Sequence, residues 1–419
     1  LGLLTQAGYV LVSDERVADV IIVNTCSFIA EATKESIQTI LELSKNRQAK
    51  VIVTGCLAQR HQQELLESMP EIAAVLGTGD FEHIVAVVQR VTAGERCNAV
   101  SRIIPGTPRT SVELPRLLTG IGPSAYLKIS EGCDHSCAFC IIPQLRGHYV
   151  SREFAAILRE ARVMAEAGVK ELVLIAEDTT RYGQDRTGKL QLPALLEALA
   201  EVPGIAWIRI LYAYPNYLTD ELLRTIHDVP QIVPYLDVPL QHTHPAILRL
   251  MRRPRHEPPD ELLARLRALV PDMVIRTTFI LGFPGEQEEH FEHLLDFVNS
   301  QRIDHIGTLP FSPEDGTLAA KLKPVVPKRV RSKRRNAVMQ AQQAVSLALH
   351  QELIGHVMPF MVEAIDAKTG QALGRTWRDA PEIDGTTFVS SNNPLEAGDT
   401  LPIRIVRAEP YDLYGVAIE

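Results

Sequence analysis

Three cysteines on one short loop constrain this chain more than any other feature of its sequence. Cys133, Cys137 and Cys140 form a CxxxCxxC pattern, Phe139 directly precedes the last of them, and an apolar strand is predicted just upstream. A structural zinc site normally closes its tetrahedron with four protein ligands. Three thiolates on one loop instead suit a 4Fe–4S cluster that keeps one iron open for a small molecule. A zinc site with a distant fourth ligand, or three reduced structural cysteines, are the alternatives.

The composition is that of an ordinary folded protein. The chain has 419 residues, 46% of them hydrophobic and 22% charged, and this length predicts two or three domains. We see no secretory leader and no apolar run of membrane-spanning length, and six cysteines with metal-like spacing indicate a reducing compartment. The net charge of −8 argues against a protein that binds nucleic acid non-specifically through an overall positive charge.

Residues 1–97 alternate short apolar strands with amphipathic helices, which predicts a flavodoxin-like parallel sheet covered on both faces. Cys26 and Cys56 each come directly after a predicted strand, where open α/β sheets place their ligand sites. We therefore expect these two cysteines to share a metal site, and two buried structural cysteines are the alternative. Cys97 is interpreted as part of a polar linker and is assigned no role.

The remaining sequence predicts a linker and two further domains. Several prolines within residues 98–123 indicate the linker. Residues 124–354 contain six strand–helix repeats and a long closing helix. Six repeats are too few for a closed eight-fold barrel, so we predict an open, partial (β/α)6 barrel with its site at the carboxyl ends of the strands. Residues 355–419 change to short β segments, which predict a small antiparallel, OB-like barrel.

The cysteine loop, its preceding strand and Phe139 resemble the signature of the radical S-adenosylmethionine (SAM) superfamily. The resemblance implies that Cys133, Cys137 and Cys140 hold a 4Fe–4S cluster whose open iron is chelated by the amino and carboxylate groups of SAM. One electron from this cluster would break the sulfonium bond and yield a 5′-deoxyadenosyl radical. The cofactor performs the difficult step, while the protein positions it and excludes water.

Two further segments resemble parts of the superfamily that hold SAM. Phe279–Glu286 resembles the segment that packs beside adenine, and Ala176–Gly183 resembles the one near the SAM amino group. Relatives usually have a glutamine where this chain has Glu177. For each residue, an ordinary polar loop or an ion pair is the alternative. The candidate cofactor-binding residues are Phe139, Glu177, Arg209, Gln241, Arg276, Gly282 and Glu286.

The order of the three domains resembles the radical SAM methylthiotransferases, whose last domain is called TRAM. Leu211–Leu223, Leu309–Ala320, Asp379–Gly385 and Tyr411–Gly415 resemble the RimO branch, which methylthiolates the β-carbon of one aspartate in ribosomal protein S-twelve. Residues 355–419 hold ten Asp or Glu and five Lys or Arg, which favours a basic protein substrate over tRNA. The rival functions are a tRNA methylthiotransferase of the MiaB or MtaB type and a non-enzymatic RNA-binding factor.

The resemblance also implies a second, auxiliary 4Fe–4S cluster. It assigns Cys26 and Cys56 as the second and third of the three ligands of this cluster, and we expect the first ligand to lie on a segment before Leu1 that has been either truncated or left out of the sequence. One SAM would donate a methyl group to sulfur on this cluster, and a second SAM would generate the radical. The resemblance further implies an electron donor such as flavodoxin or ferredoxin, a cytoplasmic location and no membrane partner.

Overall fold

A computed structural model describes most of the chain as two compact units. The described residues are 1–46, 48–103, 115–118, 122–253 and 257–418. The first unit, called the cysteine unit, comprises Leu1–Thr119, Glu131–Val150 and Ser312–Lys321. The second, called the barrel unit, comprises Gly120–Ser130, Ser151–Phe311 and Leu322–Glu419. Among the described residues, no helix is both long enough and apolar enough to cross a bilayer. Most of the predicted linker, at residues 104–114 and 119–121, lies outside the described part.

The predicted parallel sheet is confirmed in the cysteine unit, where four strands lie in the order β1-β2-β3-β4. The strands are β1 Val20–Thr25, β2 Lys50–Gly55, β3 Ile72–Leu76 and β4 Cys97–Ala99. The helices are α1 Gly2–Gln6, α2 Ala30–Leu43, α3 Cys56–Ser68 and α4 Ile84–Thr92. Side chains of β2 and β3 are buried in two core clusters, which explains why the sequences of these strands are continuous apolar runs.

Cys97 does not lie in a linker, and this part of the sequence interpretation is wrong. It begins the short edge strand β4, which pairs with β3, and its side chain is buried in the core. The sheet therefore extends past residue 97. A three-residue strand has too little periodicity to be recognised in a sequence, and its polar surroundings suggested a linker.

The loop with three cysteines follows the first strand of the barrel unit, β5 (Ser124–Lys128). It lies between two short strands, β6 (Ser130–Glu131) and β7 (Val150–Ser151), and contains the helix α5 (Ile142–Arg146). From residue 131 to residue 150 the loop belongs to the cysteine unit, together with the sheet that carries Cys26 and Cys56.

Six parallel strands form the open sheet of the barrel unit in the order β12-β11-β10-β9-β8-β5, which confirms the partial barrel. After β5 the strands are β8 Glu171–Ile175, β9 Trp207–Ile210, β10 Ile232–Asp237, β11 Val274–Leu281 and β12 His305–Pro310. The helices are α6 Phe154–Glu166, α7 Gln184–Thr187, α8 Leu192–Ala200, α9 Asp220–Asp228, α10 Pro245–Leu250, α11 Pro259–Leu269, α12 Glu288–Gln301 and the long α13 Lys328–Glu352.

The chain ends in a closed five-stranded barrel with the order β13-β14-β15-β17-β16. Its strands are β13 Val357–Ile365, β14 Ala372–Thr376, β15 Thr387–Ser390, β16 Thr400–Ala408 and β17 Leu413–Ala417. The small C-terminal barrel is confirmed, but it is not wholly antiparallel, because β15 and β17 pair in parallel. This pairing arises because the chain crosses to β16 before it returns as β17.

Candidate functional site

A tight turn presents the three cysteines of the loop. Gly132 has a φ of +75°, and a Cβ at this position would lie 2.1 Å from the carbonyl oxygen of His148. Only glycine tolerates this conformation and this close approach. Cys133 donates its backbone N–H to the carbonyl oxygen of Gly147 over 3.1 Å. The base of the loop is therefore closed by the backbone itself.

The three cysteines line a single cavity of about 290 Å³. Cys133 is buried, Cys137 and Cys140 are half-buried, and none of them forms a disulfide. The backbone N–H of Ile142 donates to Sγ of Cys140 over 3.4 Å, a contact that stabilises a thiolate ligand. Phe139 is half-buried in the same loop.

The donor set fits a 4Fe–4S cluster. Among the described residues, no three His, Cys, Asp or Glu side chains converge as the ligands of one metal ion. A cubane cluster binds its three thiolates through three different irons, so it suits sulfurs that are distributed around one cavity. The shared cavity is the observation on which this fit depends.

Side chains next to the cysteines form contacts within the loop and with one other segment of the cysteine unit. Oδ1 of Asp134 lies 2.7 Å from Nδ1 of His148 and accepts the backbone N–H of Tyr149 over 3.2 Å. Nε2 of Gln144 donates to the carbonyl oxygen of Gly316 over 3.0 Å. The contact with Gly316 joins residues that are far apart in the chain, and nothing in the sequence indicated it.

Cys26 and Cys56 lie at the same edge of the N-terminal sheet, at the carboxyl ends of β1 and β2. Thr25 of β1 pairs with Gly55 of β2, and each cysteine comes directly after one of these residues. Gly55 has a φ of +93°, and a Cβ there would lie 2.5 Å from the carbonyl oxygen of Thr25. Ser36 holds the backbone of Cys26, because its Oγ accepts the Cys26 N–H over 3.1 Å and donates to the Cys26 carbonyl over 3.0 Å.

Cys56 is also in contact with the helix of the three-cysteine loop. Nη2 of Arg146 donates to Sγ of Cys56 over 3.8 Å, while Nη1 donates to Oε1 of Glu131 over 2.7 Å. Cys56 packs against Ile141 and Leu145. Burial raises the pKa of the Cys56 thiol, and the positive charge of Arg146 opposes this effect. Sequence reasoning missed Arg146, which links the two groups of cysteines.

In the barrel unit, Glu286 stabilises the turn that resembles the adenine-binding segment. Its carboxylate accepts the N–H of Gly282 over 2.8 Å and that of Phe283 over 3.2 Å. Nη1 of Arg334 donates to the other carboxylate oxygen over 2.7 Å. Gly282 has a φ of +71°, and a Cβ there would lie 2.1 Å from Cγ of Arg331. A direct contact of Glu286 or Gly282 with SAM stays a prediction.

Arg209 lies in a buried ion-pair network that includes the C-terminal barrel. Its Nε donates to Oε1 of Glu171 over 2.7 Å, and its Nη1 donates to the carbonyl oxygen of Trp377 over 2.9 Å. Nη2 of Arg375 donates to the other Glu171 oxygen over 2.6 Å. The Arg209 guanidinium also lies 4.6 Å from the ring centre of Tyr235. The structure thus provides the partners of the ion-pair alternative, and the SAM contact of Arg209 stays a prediction.

The three remaining candidates, Arg276, Gln241 and Glu177, differ in their local contacts. Nη1 of Arg276 lies 3.3 Å from Asp237, and its Nε lies 3.5 Å from Asp384 of the C-terminal barrel. Gln241 has a φ of +67° and bridges to β11 through its backbone. Glu177 is half-buried in the turn after β8. Their roles in SAM binding stay predictions.

Three family models match successive parts of the chain. The radical SAM superfamily model matches residues 127–298 and therefore includes the three-cysteine loop. A model described as the uncharacterized protein family UPF0004 matches residues 1–77, which contain Cys26 and Cys56. The TRAM domain model matches residues 354–418.

Curated relatives are similar to the chain along its whole length. A protein named ribosomal protein uS12 methylthiotransferase RimO from Synechococcus sp. (strain RCC307) is 49% identical over 422 residues, which cover 100% of this chain and 86% of the relative. The protein of the same name from Thermosynechococcus vestitus is 45% identical over 417 residues, covering 99% of this chain and 92% of the relative.

A solved structure shares the fold at low sequence identity. It is the radical S-adenosylmethionine methyltransferase TsrM from Kitasatospora setae with cobalamin and a 4Fe–4S cluster bound. The match has a TM-score of 0.52 and 13% identity, and it covers 69% of this chain and 60% of that one. This likeness supports the fold alone.

Proposed function

This chain belongs to the family of ribosomal protein uS12 methylthiotransferases, and on that premise we propose that it adds a methylthio group to the β-carbon of one aspartate in uS12. The observation that carries the proposal is the identity of 45–49% with relatives of that name over nearly the whole chain. The cavity lined by Cys133, Cys137 and Cys140 supports the cofactor chemistry that such a reaction needs.

Cys133, Cys137 and Cys140 are the proposed ligands of the SAM-binding 4Fe–4S cluster. When bound with SAM, this cluster supplies one-electron chemistry that no amino-acid side chain provides. The chain holds the three thiols in one cavity, with Gly132 shaping the turn and the Ile142 N–H directed at one sulfur. The roles of Phe139, Glu177, Arg209, Gln241, Arg276, Gly282 and Glu286 in SAM binding belong to the same proposal.

Cys26 and Cys56 are two of the three proposed ligands of the auxiliary cluster, and they are called the auxiliary cysteines below. Their position at the ends of paired strands supports a shared ligand site. The contact between Cys56 and Arg146 supports a connection between this site and the three-cysteine loop, because both groups belong to one compact unit.

The charge of the C-terminal barrel supports a basic protein substrate rather than tRNA. Two of its five basic residues are paired: Arg375 forms an ion pair with Glu171 of β8, and Arg378 forms one with Asp304, which directly precedes β12. These guanidinium groups are therefore engaged and do not serve as phosphate contacts, which tRNA binding would require. An electron donor of the flavodoxin or ferredoxin type and a cytoplasmic location complete the proposal.

The substrate is tested by offering both candidates to the anaerobically reconstituted protein. Purified uS12 and tRNA are incubated separately with the protein, SAM and a reductant, then digested and analysed by mass spectrometry. We expect a methylthio gain on one aspartate-containing peptide of uS12. A methylthio gain on tRNA alone would refute the proposed substrate.

Cysteine variants separate the two proposed clusters. Cys137→Ala should abolish both SAM cleavage and methylthiolation, whereas Cys56→Ala should spare SAM cleavage and stop methylthiolation. Cys97→Ala is the matched control, because Cys97 is buried in the same unit but begins the edge strand β4 and is not a proposed ligand. If Cys56→Ala kept full methylthiolation, the second-cluster proposal would fail.

A further inference from the structure

Residues Ser312–Lys321, called the bridging segment, belong to the cysteine unit, although the sequence on either side of them belongs to the barrel unit. Ala319 donates its backbone N–H to the carbonyl oxygen of Ala138 over 2.8 Å, and Ala138 is part of the three-cysteine loop. The carbonyl oxygen of Gly316 accepts a hydrogen bond from Nε2 of Gln144 over 3.0 Å. The bridging segment is thus hydrogen-bonded to the loop at two points.

Arg60 connects the same segment to the auxiliary cysteines. Its Nη1 donates to Oε2 of Glu314 over 2.9 Å, and its Nη2 donates to the carbonyl oxygen of Asp315 over 3.1 Å. Nη1 also donates to the carbonyl oxygen of Ser27 over 2.9 Å. Ser27 directly follows one auxiliary cysteine, and the other begins α3, the helix that carries Arg60. One guanidinium group therefore contacts both the bridging segment and the auxiliary site.

The ion pair between Arg60 and Glu314 has a defined geometry. The two side chains are only 14% and 7% exposed. The second carboxylate oxygen of Glu314 accepts a hydrogen bond from Oγ of Ser312 over 2.7 Å, and the hydroxyl of Thr317 donates to the Glu314 backbone carbonyl over 2.7 Å. Removing one partner of such a pair is unfavourable, because it leaves a mostly buried charge without its counterpart.

We propose that Arg60 and Glu314 are positioning residues that set the spacing between the three-cysteine loop and the auxiliary cysteines. This inference rests on the proposed function, since it assumes a cofactor at each group of cysteines. Neither residue is one of the proposed ligands, so each acts through the backbone that it holds. Transfer between two sites is sensitive to misplacement of about 1 Å, whereas SAM cleavage needs the three-cysteine loop and the proposed SAM-binding residues but not the auxiliary cysteines. Loosening the pair should therefore uncouple SAM cleavage from methylthiolation.

The test uses Glu314→Gln and Arg60→Gln in the full-length protein with its clusters reconstituted. Three quantities are measured: iron and sulfide per chain, the ratio of 5′-deoxyadenosine to methylthiolated uS12, and the distance between the clusters by pulsed electron paramagnetic resonance. We expect unchanged iron content and SAM cleavage within about twofold of the parent. The ratio of 5′-deoxyadenosine to methylthiolated uS12, called the coupling ratio, should rise about tenfold or more, which means weaker coupling, and the distance distribution should broaden.

Two further variants serve as controls. The conservative change Arg60→Lys should keep part of the coupling, because it preserves the positive charge that faces Glu314 and can still donate to a backbone carbonyl. Glu352→Gln should leave the coupling ratio unchanged, because the pair of Glu352 with Arg302 is exposed and belongs to the barrel unit.

The outcomes distinguish this inference from the proposed function. Single variants with intact clusters, an unchanged coupling ratio and an unchanged distance distribution would overturn the positioning role. Loss of iron together with loss of SAM cleavage would also overturn it, because the pair would then be needed for folding. If the parent protein does not modify uS12, the proposed function fails, and the distance measurement alone decides the positioning role.

Discussion

Glu171 stabilises the attachment of the C-terminal barrel to the six-stranded sheet. Its two oxygens accept hydrogen bonds from Arg209 over 2.7 Å and from Arg375 over 2.6 Å, and its side chain is fully buried. Burial alone would raise the pKa of Glu171, but the two guanidinium groups outweigh it and lower the pKa from 4.5 to about 2. Because one pKa unit corresponds to about 1.4 kcal/mol, the ionised carboxylate contributes about 3 kcal/mol to folding at neutral pH.

Glu171→Gln keeps the shape of the side chain and removes its charge. We expect the free energy of unfolding to fall by about 3 kcal/mol at pH 7, because two buried guanidinium groups lose their shared carboxylate. Urea unfolding can be followed by intrinsic fluorescence, since the only two tryptophans, Trp207 and Trp377, belong to one core cluster beside this network. Glu352→Gln is the control, and its exposed pair should cost less than about 1 kcal/mol.

The pH dependence provides a second test of the same reasoning. In the unfolded chain Glu171 takes up a proton as the pH falls through 4.5, whereas in the folded protein it stays charged until about pH 2. The stability difference between the parent and Glu171→Gln should therefore be constant above about pH 5 and shrink towards pH 2. Equal urea midpoints for the two glutamine variants at pH 7 would refute the argument. A raised KM for SAM without any loss of stability would instead favour Arg209 as a cofactor ligand.

Three further substitutions test the site. Gly132→Ala should prevent iron loading of the SAM-binding site, measured by iron and sulfide analysis, because the added Cβ would lie 2.1 Å from a backbone carbonyl; full loading would contradict this. Arg146→Gln should lower the reduction potential of the proposed auxiliary cluster in a potentiometric titration, because a positive charge 3.8 Å from Sγ of Cys56 is removed, and Arg146→Lys should preserve most of the parent potential. Arg334→Met should weaken SAM binding in equilibrium dialysis and cost about 3 kcal/mol of stability, because it leaves the Glu286 carboxylate buried without its guanidinium partner; unchanged SAM affinity would argue against a role of this turn.

The strand and helix pattern could be predicted because it depends on local periodicity. The six parallel strands of the barrel unit carry apolar runs of the right length, and the long helix Lys328–Glu352 contains no glycine or proline that would interrupt it. The ligand pattern of the three-cysteine loop was equally local, since all three thiols lie within eight residues. Cys26 and Cys56 could be placed together because parallel strands end at the same edge of a sheet.

The contacts between distant segments could not be predicted. A buried arginine on a strand has the same sequence signal whether it binds a ligand or a carboxylate, and the partners of Arg209 come from Glu171 and from the C-terminal barrel. The bridging segment has no periodicity and no cysteine, so its contact with Arg60 depends on long-range folding. The parallel pairing of β15 with β17 likewise depends on the path of the chain between them.

The closure of the C-terminal barrel restricts how any partner can dock on it. Each of its five strands has a neighbour on both sides within the described residues, so the main-chain donors and acceptors between strands are already used. A peptide therefore cannot join this domain as an additional strand, which is a common mode of sequence-tolerant recognition. Selectivity for a bound protein must come from loops and side chains, whose replacement can redirect recognition without disturbing the barrel.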